Sequence, residues 1–291
     1  MKRNTARRQL TALLLLLTLV IGGCGAPAVS PTPVAPATDE PAPSPTAETT
    51  GVKVAASEIQ RETNPDVGAD ALEALTEGQN AFALDLYRVL RDGDENLFYS
   101  PYSIAVALAM TYAGARNETA DQMAEVLHLD NPTQETLHPA MNALQQQLTD
   151  QDGITLTVAN SLWAQEGYPF RNEFLDVLAR HYGAGVRLVD YVDPAAREEA
   201  REAVNRWVEA ETNGKIEELI TEDMLNEMTR LILANAIYFK ARWQQPFHHG
   251  TSEAPFYLLD GTEVTVLMMS RRAGTPYMEG SGYQAVELPY K

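Results

Sequence analysis

The 291-residue sequence contains a single cysteine, Cys24. No disulfide can form within the chain, so any folded domain must be held by its core, and a chain of this length can build one. Positive charge is also scarce: 22 Lys and Arg stand against 40 Asp and Glu, a formal net charge of −18. So acidic a chain does not attract nucleic acid or an anionic lipid surface. Catalytic signatures are missing as well. There is no G-x-S-x-G elbow, no H-E-x-x-H and no phosphate-binding P-loop. The histidines are five, namely His128, His138, His181, His248 and His249. His248 and His249 are adjacent and have no third ligand in view, so they do not read as a metal site. His181 beside Gly183 reads as a cation at a helix C-terminus, where the dipole favours it. Glu198, Glu199, Glu202, Glu209 and Glu211 read as one solvated helix face. Neither a cofactor nor an enzymatic activity has support.

What is present begins with the N-terminus. Lys2, Arg3, Arg7 and Arg8 precede an apolar stretch over residues 10–21, followed by Gly22, Gly23 and Cys24. That is the layout of a secretory signal over residues 1–23. The small glycines before the lone cysteine resemble a bacterial lipobox, in which Cys24 becomes the lipidated first residue of the mature protein. Ile21 is less usual there than leucine, which leaves ordinary signal peptidase cleavage as the alternative. The expectation is an extracellular, cell-surface protein held to the membrane through a lipid on Cys24, with no cysteine left to act as a nucleophile. Removing the four leader charges takes the formal charge from −18 to −22. Residues 24–68 read as a linker. Proline, alanine and threonine dominate up to residue 50, a composition that stays unfolded and leans toward extended polyproline II. At about 3.1 Å per residue it spans at most about 80 Å. Residues 51–68 continue it in polar form.

The folded part is expected over residues 69–291. Leu72, Leu75, Phe82, Leu86 and Leu90 fall at helical spacing. Asn117 reads as the cap of a short helix, and residues 133–148 as another. Residues 154–163 alternate and are β-branched, hence a strand. Residues 170–182 form a helix closed by Gly183, and residues 186–189 a short strand. Asp193-Pro194 opens an amphipathic helix whose apolar face is Ala200, Val204, Trp207 and Val208; that face needs a flat surface such as a sheet. Residues 229–240 are apolar without alternation, which suits a strand covered on both faces. Asp260-Gly261 joins two further strands by a tight turn. Helices first, then strands mixed with helices, argue an α+β fold.

One stretch says more than the others. Residues 96–115 read NLFYSPYSIAVALAMTYAGA. Ser100 is a good N-cap and Pro101 suits the first helical position. The helix that follows is apolar nearly all round and belongs in an interior, with Gly114 placed to close it in a left-handed turn. This pattern of strand, Ser-Pro-x-Ser and buried helix, with residues 97–99 as the strand, resembles the serpins. The likeness continues in order through TADQMAEVLHL, ANSLW, AVNRWVEAETNGKI, LILANAIYFKARWQQPF and VTVLMM. It covers about residues 72–291.

The resemblance implies a serpin-like α+β fold, with helices packed around a large mixed sheet and a second, antiparallel sheet. It also implies a suicide inhibitor of serine, or sometimes cysteine, endopeptidases. In such proteins a bait loop is cut, and the cut loop then inserts as a strand into the large sheet. By the resemblance, Ser100, Ser103 and Asn235 belong to a central shutter, and Trp243 to the breach where insertion begins. The AVNRW helix must shift to let the loop pass. Read from the residues alone, Ser100 is an N-cap and Trp243 a core side chain. Asn235, an amide inside an apolar strand, must be hydrogen-bonded. The sequence stops after the strand-like AVELPY, and the resemblance places the bait loop beyond Lys291. A fragment without its reactive bond is therefore expected. The alternative function is a non-inhibitory, serpin-fold binding protein at the cell surface.

Overall fold

A computed structural model describes residues 52–91, 96–130, 133–149, 151–247, 251–272 and 274–291. Cys24, the leader and the proline-rich stretch up to residue 51 lie outside the described residues, as do His248 and His249. The elements run β1 (Lys53–Ala55), α1 (Ala69–Leu90), α2 (Pro101–Tyr112), α3 (Asn117–Val126), α4 (Gln134–Thr149), β2 (Ile154–Gln165), α5 (Asn172–Val177), β3 (Val186–Val189), α6 (Pro194–Glu211), β4 (Leu231–Ala241), β5 (Ser252–Tyr257), β6 (Glu263–Met268), β7 (Tyr277–Gly280) and β8 (Tyr283–Val286). The fold is α+β, as the order of elements predicts.

The large sheet has strand order β1-β3-β2-β4. It is mixed: β2 and β3 run parallel, while β1–β3 and β2–β4 are antiparallel. β2 and β4 are paired from Ile154↔Ala241 to Ala164↔Leu231. Helices cover both faces. On one side lies a core built from α2, α4, α5 and the sheet, centred on Val106, Met110, Met141, Leu162, Leu178 and Val186. On the other side α6 lays Ala200, Val204, Trp207 and Val208 over Trp163, Ile232, Ala234 and Ala236. The flat partner that this helix's apolar stripe requires is therefore the sheet. Asp193 caps α6, its carboxylate accepting from the backbone N–H groups of Ala195 and Ala196 at 3.0 and 2.9 Å. Two antiparallel hairpins, β5–β6 and β7–β8, follow as separate two-stranded sheets.

Several expectations are corrected. Within the stretch read as a linker up to residue 68, residues 53–55 form a strand of the large sheet. Lys53, Val54 and Ala55 pair with Leu188, Arg187 and Val186. Farther on, Arg61 donates to Asn142 Oδ1 at 3.1 and 2.9 Å, and Asn142 Nδ2 donates back to the Glu62 carbonyl at 2.8 Å. Strand pairing draws on backbone groups that every residue carries, so a polar segment can satisfy the open edge of β3 without an apolar run of its own. Gly185 permits the approach: a Cβ there would lie 2.9 Å from Val54 Cγ1 and 3.0 Å from the Ala55 carbonyl. Gly114 is not left-handed; α2 ends through Ala113 in right-handed geometry. Asn117 is not a cap but the first residue of α3, with a φ of 53°. The apolar run at residues 97–99 forms no strand, and Phe98 is 93% exposed. Only the middle of β4 is covered on both faces, since Leu231 and Phe239 are 47% and 48% exposed.

The histidines also differ from expectation. His181 is no helix-end cation: it is buried, and desolvation lowers its pKa. It stacks on the fully buried His138, ring centroids 6.2 Å apart. The Gln134 carboxamide oxygen can only accept, so His138 Nε2–H donates to it at 2.8 Å, and Nδ1 accepts from the Tyr182 hydroxyl at 2.7 Å. Desolvation, with the neighbouring His181 adding to it, lowers the His138 pKa to about 3. An unfolded histidine has a pKa near 6.5. The native state therefore refuses a proton that the unfolded chain accepts, and the neutral cluster's contribution is complete above pH 6.5. It is lost as pH falls from about 6.5 toward 3, at up to about 1.4 kcal/mol per pH unit. His181, shifted the same way, adds to the loss. We expect the urea midpoint of His138→Gln to fall less steeply between pH 6 and 4 than that of the parent. A His138 ring that titrates near 6.5 in the native state by NMR would contradict this.

Candidate functional site

Three of the four residues singled out by the sequence, Ser100, Ser103 and Asn235, come together where α2 meets the large sheet. The Ser100 hydroxyl accepts from the Ser103 backbone N–H at 3.2 Å, an N-cap bond. That cap starts α2 so that Ser103, fully buried, points at the middle of β4. There Ser103 Oγ donates to Asn235 Oδ1 at 2.6 Å. Asn235 Nδ2 donates to the Ser103 carbonyl at 3.1 Å and to Asn160 Oδ1 at 2.6 Å. Asn160 and Asn235 are direct register partners on β2 and β4. One carboxamide therefore joins a buried helix and two strands, and both of its N–H groups and its oxygen are used. Ser100 does not reach Asn235; it acts one step away, by orienting Ser103.

Trp243 lies apart from this group, just past the end of β4. It stacks on Tyr290 with centroids 4.6 Å apart and planes at 15°, and its backbone bridges to the same residue. Phe239 meets Tyr290 edge to face at 5.2 Å, and Phe247 lies 6.1 Å from Trp243. Trp243 is thus neither part of the Asn235 group nor a deep core residue, being only partly buried. It closes an aromatic cluster that ties the end of β4 to residues 289–291, where Gln244 N–H donates to the Pro289 carbonyl at 2.9 Å and Lys291 N–H to the Arg242 carbonyl at 2.8 Å.

On the opposite face, α6 is fastened to its own exit segment by Asn205. Asn205 Nδ2 donates to the Ile220 carbonyl at 2.9 Å, while its oxygen accepts from the Leu219 and Ile220 N–H groups at 2.9 and 2.8 Å. The outer carboxylates of α6 face solvent, with one exception. Glu211 is half-buried near Arg187, and desolvation raises its pKa. Among the described residues there is no group of three or more His, Cys, Asp or Glu placed to hold a metal ion. None of their helices is long and apolar enough to cross a membrane.

The family model described as "Serpin (serine protease inhibitor)" matches residues 77–291. The chain belongs to the serpin family. Serpins are generally protease inhibitors rather than enzymes. This serpin is 36% identical over 296 aligned residues to an uncharacterized serpin-like protein of Thermococcus kodakarensis, covering 98% of this chain and 64% of that protein. It is 38% identical to the leukocyte elastase inhibitor of Equus caballus, covering 76% of this chain and 59% of that one. Among solved structures it is similar to a serpin of Arabidopsis in its native stressed conformation, with a TM-score of 0.69 and 30% identity over 77% of this chain and 58% of that one. It is similar also to emu ovalbumin, with a TM-score of 0.67 and 28% identity over 75% and 60% of the two chains. The chain thus spans about three-fifths of the length of the curated relatives it matches.

Sequence reasoning missed Asn160 and Asn205. The signal for Asn160 was present: VANSLW and LILANAIYF each place Ala-Asn inside an apolar strand, the feature that marked Asn235. Replacing Asn235 by alanine strands the Ser103 hydroxyl and the Asn160 oxygen together. An unmatched buried polar group costs about 1–3 kcal/mol. We expect Asn235→Ala to lower unfolding stability by about 2 kcal/mol, and Asn160→Ala by less, because Ser103 and Asn235 keep their reciprocal pair. Equal losses in urea titrations of the two variants would contradict this hierarchy.

Proposed function

We propose that this chain carries the sheet-opening apparatus of a serpin that inhibits serine, or in some cases cysteine, endopeptidases. The observation that carries this reading is the Asn235 carboxamide, bonded at once to α2, β2 and β4. In the inhibitory cycle a protease nucleophile attacks the carbonyl of a bait bond in an exposed loop. The amine side leaves and an acyl-enzyme remains. The cut loop then enters the large sheet as a new strand, and the strain released drags the protease with it. Such a sheet must hold firmly within its strand pairs and lightly to the helix behind it. Here β2 and β4 share a long antiparallel register and the Asn160–Asn235 bond, so they move as one ribbon. The polar tie from that ribbon to α2 is the Ser103–Asn235 pair, two hydrogen bonds that sliding can exchange. In this reading Ser100, Ser103 and Asn235 form the shutter, Trp243 marks the breach, and α6 lifts from the opposite face. Likeness to leukocyte elastase inhibitors supports a protease as the partner. The test incubates the full-length protein with trypsin-like and subtilisin-like proteases. The expected product is a covalent complex that survives a denaturing gel. Cleaved serpin and free protease alone would overturn inhibition of those targets and favour the non-inhibitory binding protein.

We propose also that the protein is exported and held at the cell surface through Cys24. Four positive charges, an apolar stretch and two glycines before the lone cysteine support this reading. Because β1 docks on the outer edge of β3, the proline-rich tether would leave the domain at that side of the large sheet. Cys24→Ala is expected to abolish fatty-acid labelling and to move the protein from the membrane fraction into the soluble one. Unchanged membrane retention would count against the anchor.

A further inference from the structure

The way α6 sits on the large sheet is uneven. Over β4 it meets Ala234 and Ala236 beside Ile232, mostly small side chains that offer little area each. Over β2 and β3 the contact is of another kind. Trp207 of α6 meets Trp163 of β2 edge to face, with centroids 6.5 Å apart and planes at 70°. The guanidinium of Arg187, from β3, lies over both indoles, 5.1 Å from Trp163 and 5.9 Å from Trp207. It donates through Nη1 to the buried Ser161 hydroxyl at 2.5 Å, while its Nε has no protein partner. Glu211, in the last turn of α6, is the acidic group whose charge acts on Arg187, although the two form no direct ion pair among the contacts seen. Burial disfavours the charge of both. Arginine nevertheless stays protonated at any pH the fold meets, so a cation is held between helix and sheet.

A cation flanked by two indoles and removed from water is worth more than the same contact in solvent. Its planar fork is what allows simultaneous stacking and donation to Ser161. The aromatic and polar contacts of α6 with the sheet are thereby concentrated at its C-terminal half and on β2 and β3, whereas its close contact with β4 is apolar. We propose that Arg187 is a positioning residue that pins the C-terminal half of α6 to β2 and β3 by directional contacts, so that over β4 only apolar contacts must break for the helix to lift. The pin itself depends only on this geometry; its consequence for loop insertion rests on the inhibitory reading above. Loss of the pin frees the whole helix, so that the sheet opens without a cut loop to fill it.

The test uses Arg187→Met, which keeps the side-chain length without charge or fork, and Arg187→Lys, which keeps the charge alone. Trp207→Leu approaches the same contact from the helix and covers the case in which a β3 variant fails to fold. In native-state hydrogen exchange, the amides of residues 204–211 are expected to exchange about tenfold faster in Arg187→Met and in Trp207→Leu, with those of α1 unchanged. Arg187→Lys is expected to fall between Arg187→Met and the parent. Polymerisation on mild heating should rise several-fold, while the rate of initial association with a protease should not change. Unchanged exchange over residues 204–211 in Arg187→Met, or full restoration by lysine, would overturn the pin. Faster exchange in a protein that forms no covalent protease complex would overturn the inhibitory reading and leave the pin standing.

Discussion

The large sheet depends on how one amide is satisfied. An asparagine at the centre of an apolar strand is costly unless every hydrogen-bonding group finds a partner. Asn235 finds them on a helix and on the neighbouring strand at once. This demand fixes where α2 lies, because only the backbone carbonyl and hydroxyl of Ser103 together match one N–H and the oxygen of the carboxamide. It also fixes register, since Asn160 must sit directly opposite. A slip of either strand by one residue would turn its amide to the other face of the sheet, away from its partner. The apolar packing of Val106, Met110 and Leu162 surrounds this group and sets overall stability, but apolar contacts alone tolerate sliding. The polar bonds give the helix–sheet contact one preferred position.

The two faces of β4 are built for different purposes. Toward α2 the strand offers Leu233, Asn235 and Ile237, a mixed surface with directional bonds. Toward α6 it offers Ile232, Ala234 and Ala236, a shallow apolar surface without polar ties. The directional contacts of α6 lie on the neighbouring strands, through Trp163, Arg187 and Ser161, and on its exit segment, through Asn205. The N-terminal segment adds a further layer by pairing β1 to the outer edge of β3, on the side of the sheet remote from β4.

Much of this was legible before any coordinates. The Ser-Pro start of α2, the Asp-Pro start of α6 and the glycine that ends the helical run at Gly183 follow from local chemistry. Helical and alternating spacing located most elements, and the polar residue in LILANAIYF announced a buried hydrogen-bond group. What escaped notice involves partners distant in sequence. Asn160 carries the same signal as Asn235, yet its meaning appears only when the two strands are in register. Residues 53–55 are too short a run to announce a strand and become one because β3 has an open edge. His181 looks like a helix-end cation until burial against His138 removes the water that a charge would need.

The sequence by itself determined the identity of most elements, the nearly all-apolar character of α2 and the family, because capping, periodicity and motif order are local properties of the chain. Only the tertiary structure decided which polar groups meet. The bond from Ser103 to Asn235 spans 132 positions, and the approach of Arg187 to two tryptophans crosses from strand to helix. Such contacts depend on distance and direction in space. Burial then gives them their strength, by removing the water that would otherwise satisfy each group separately.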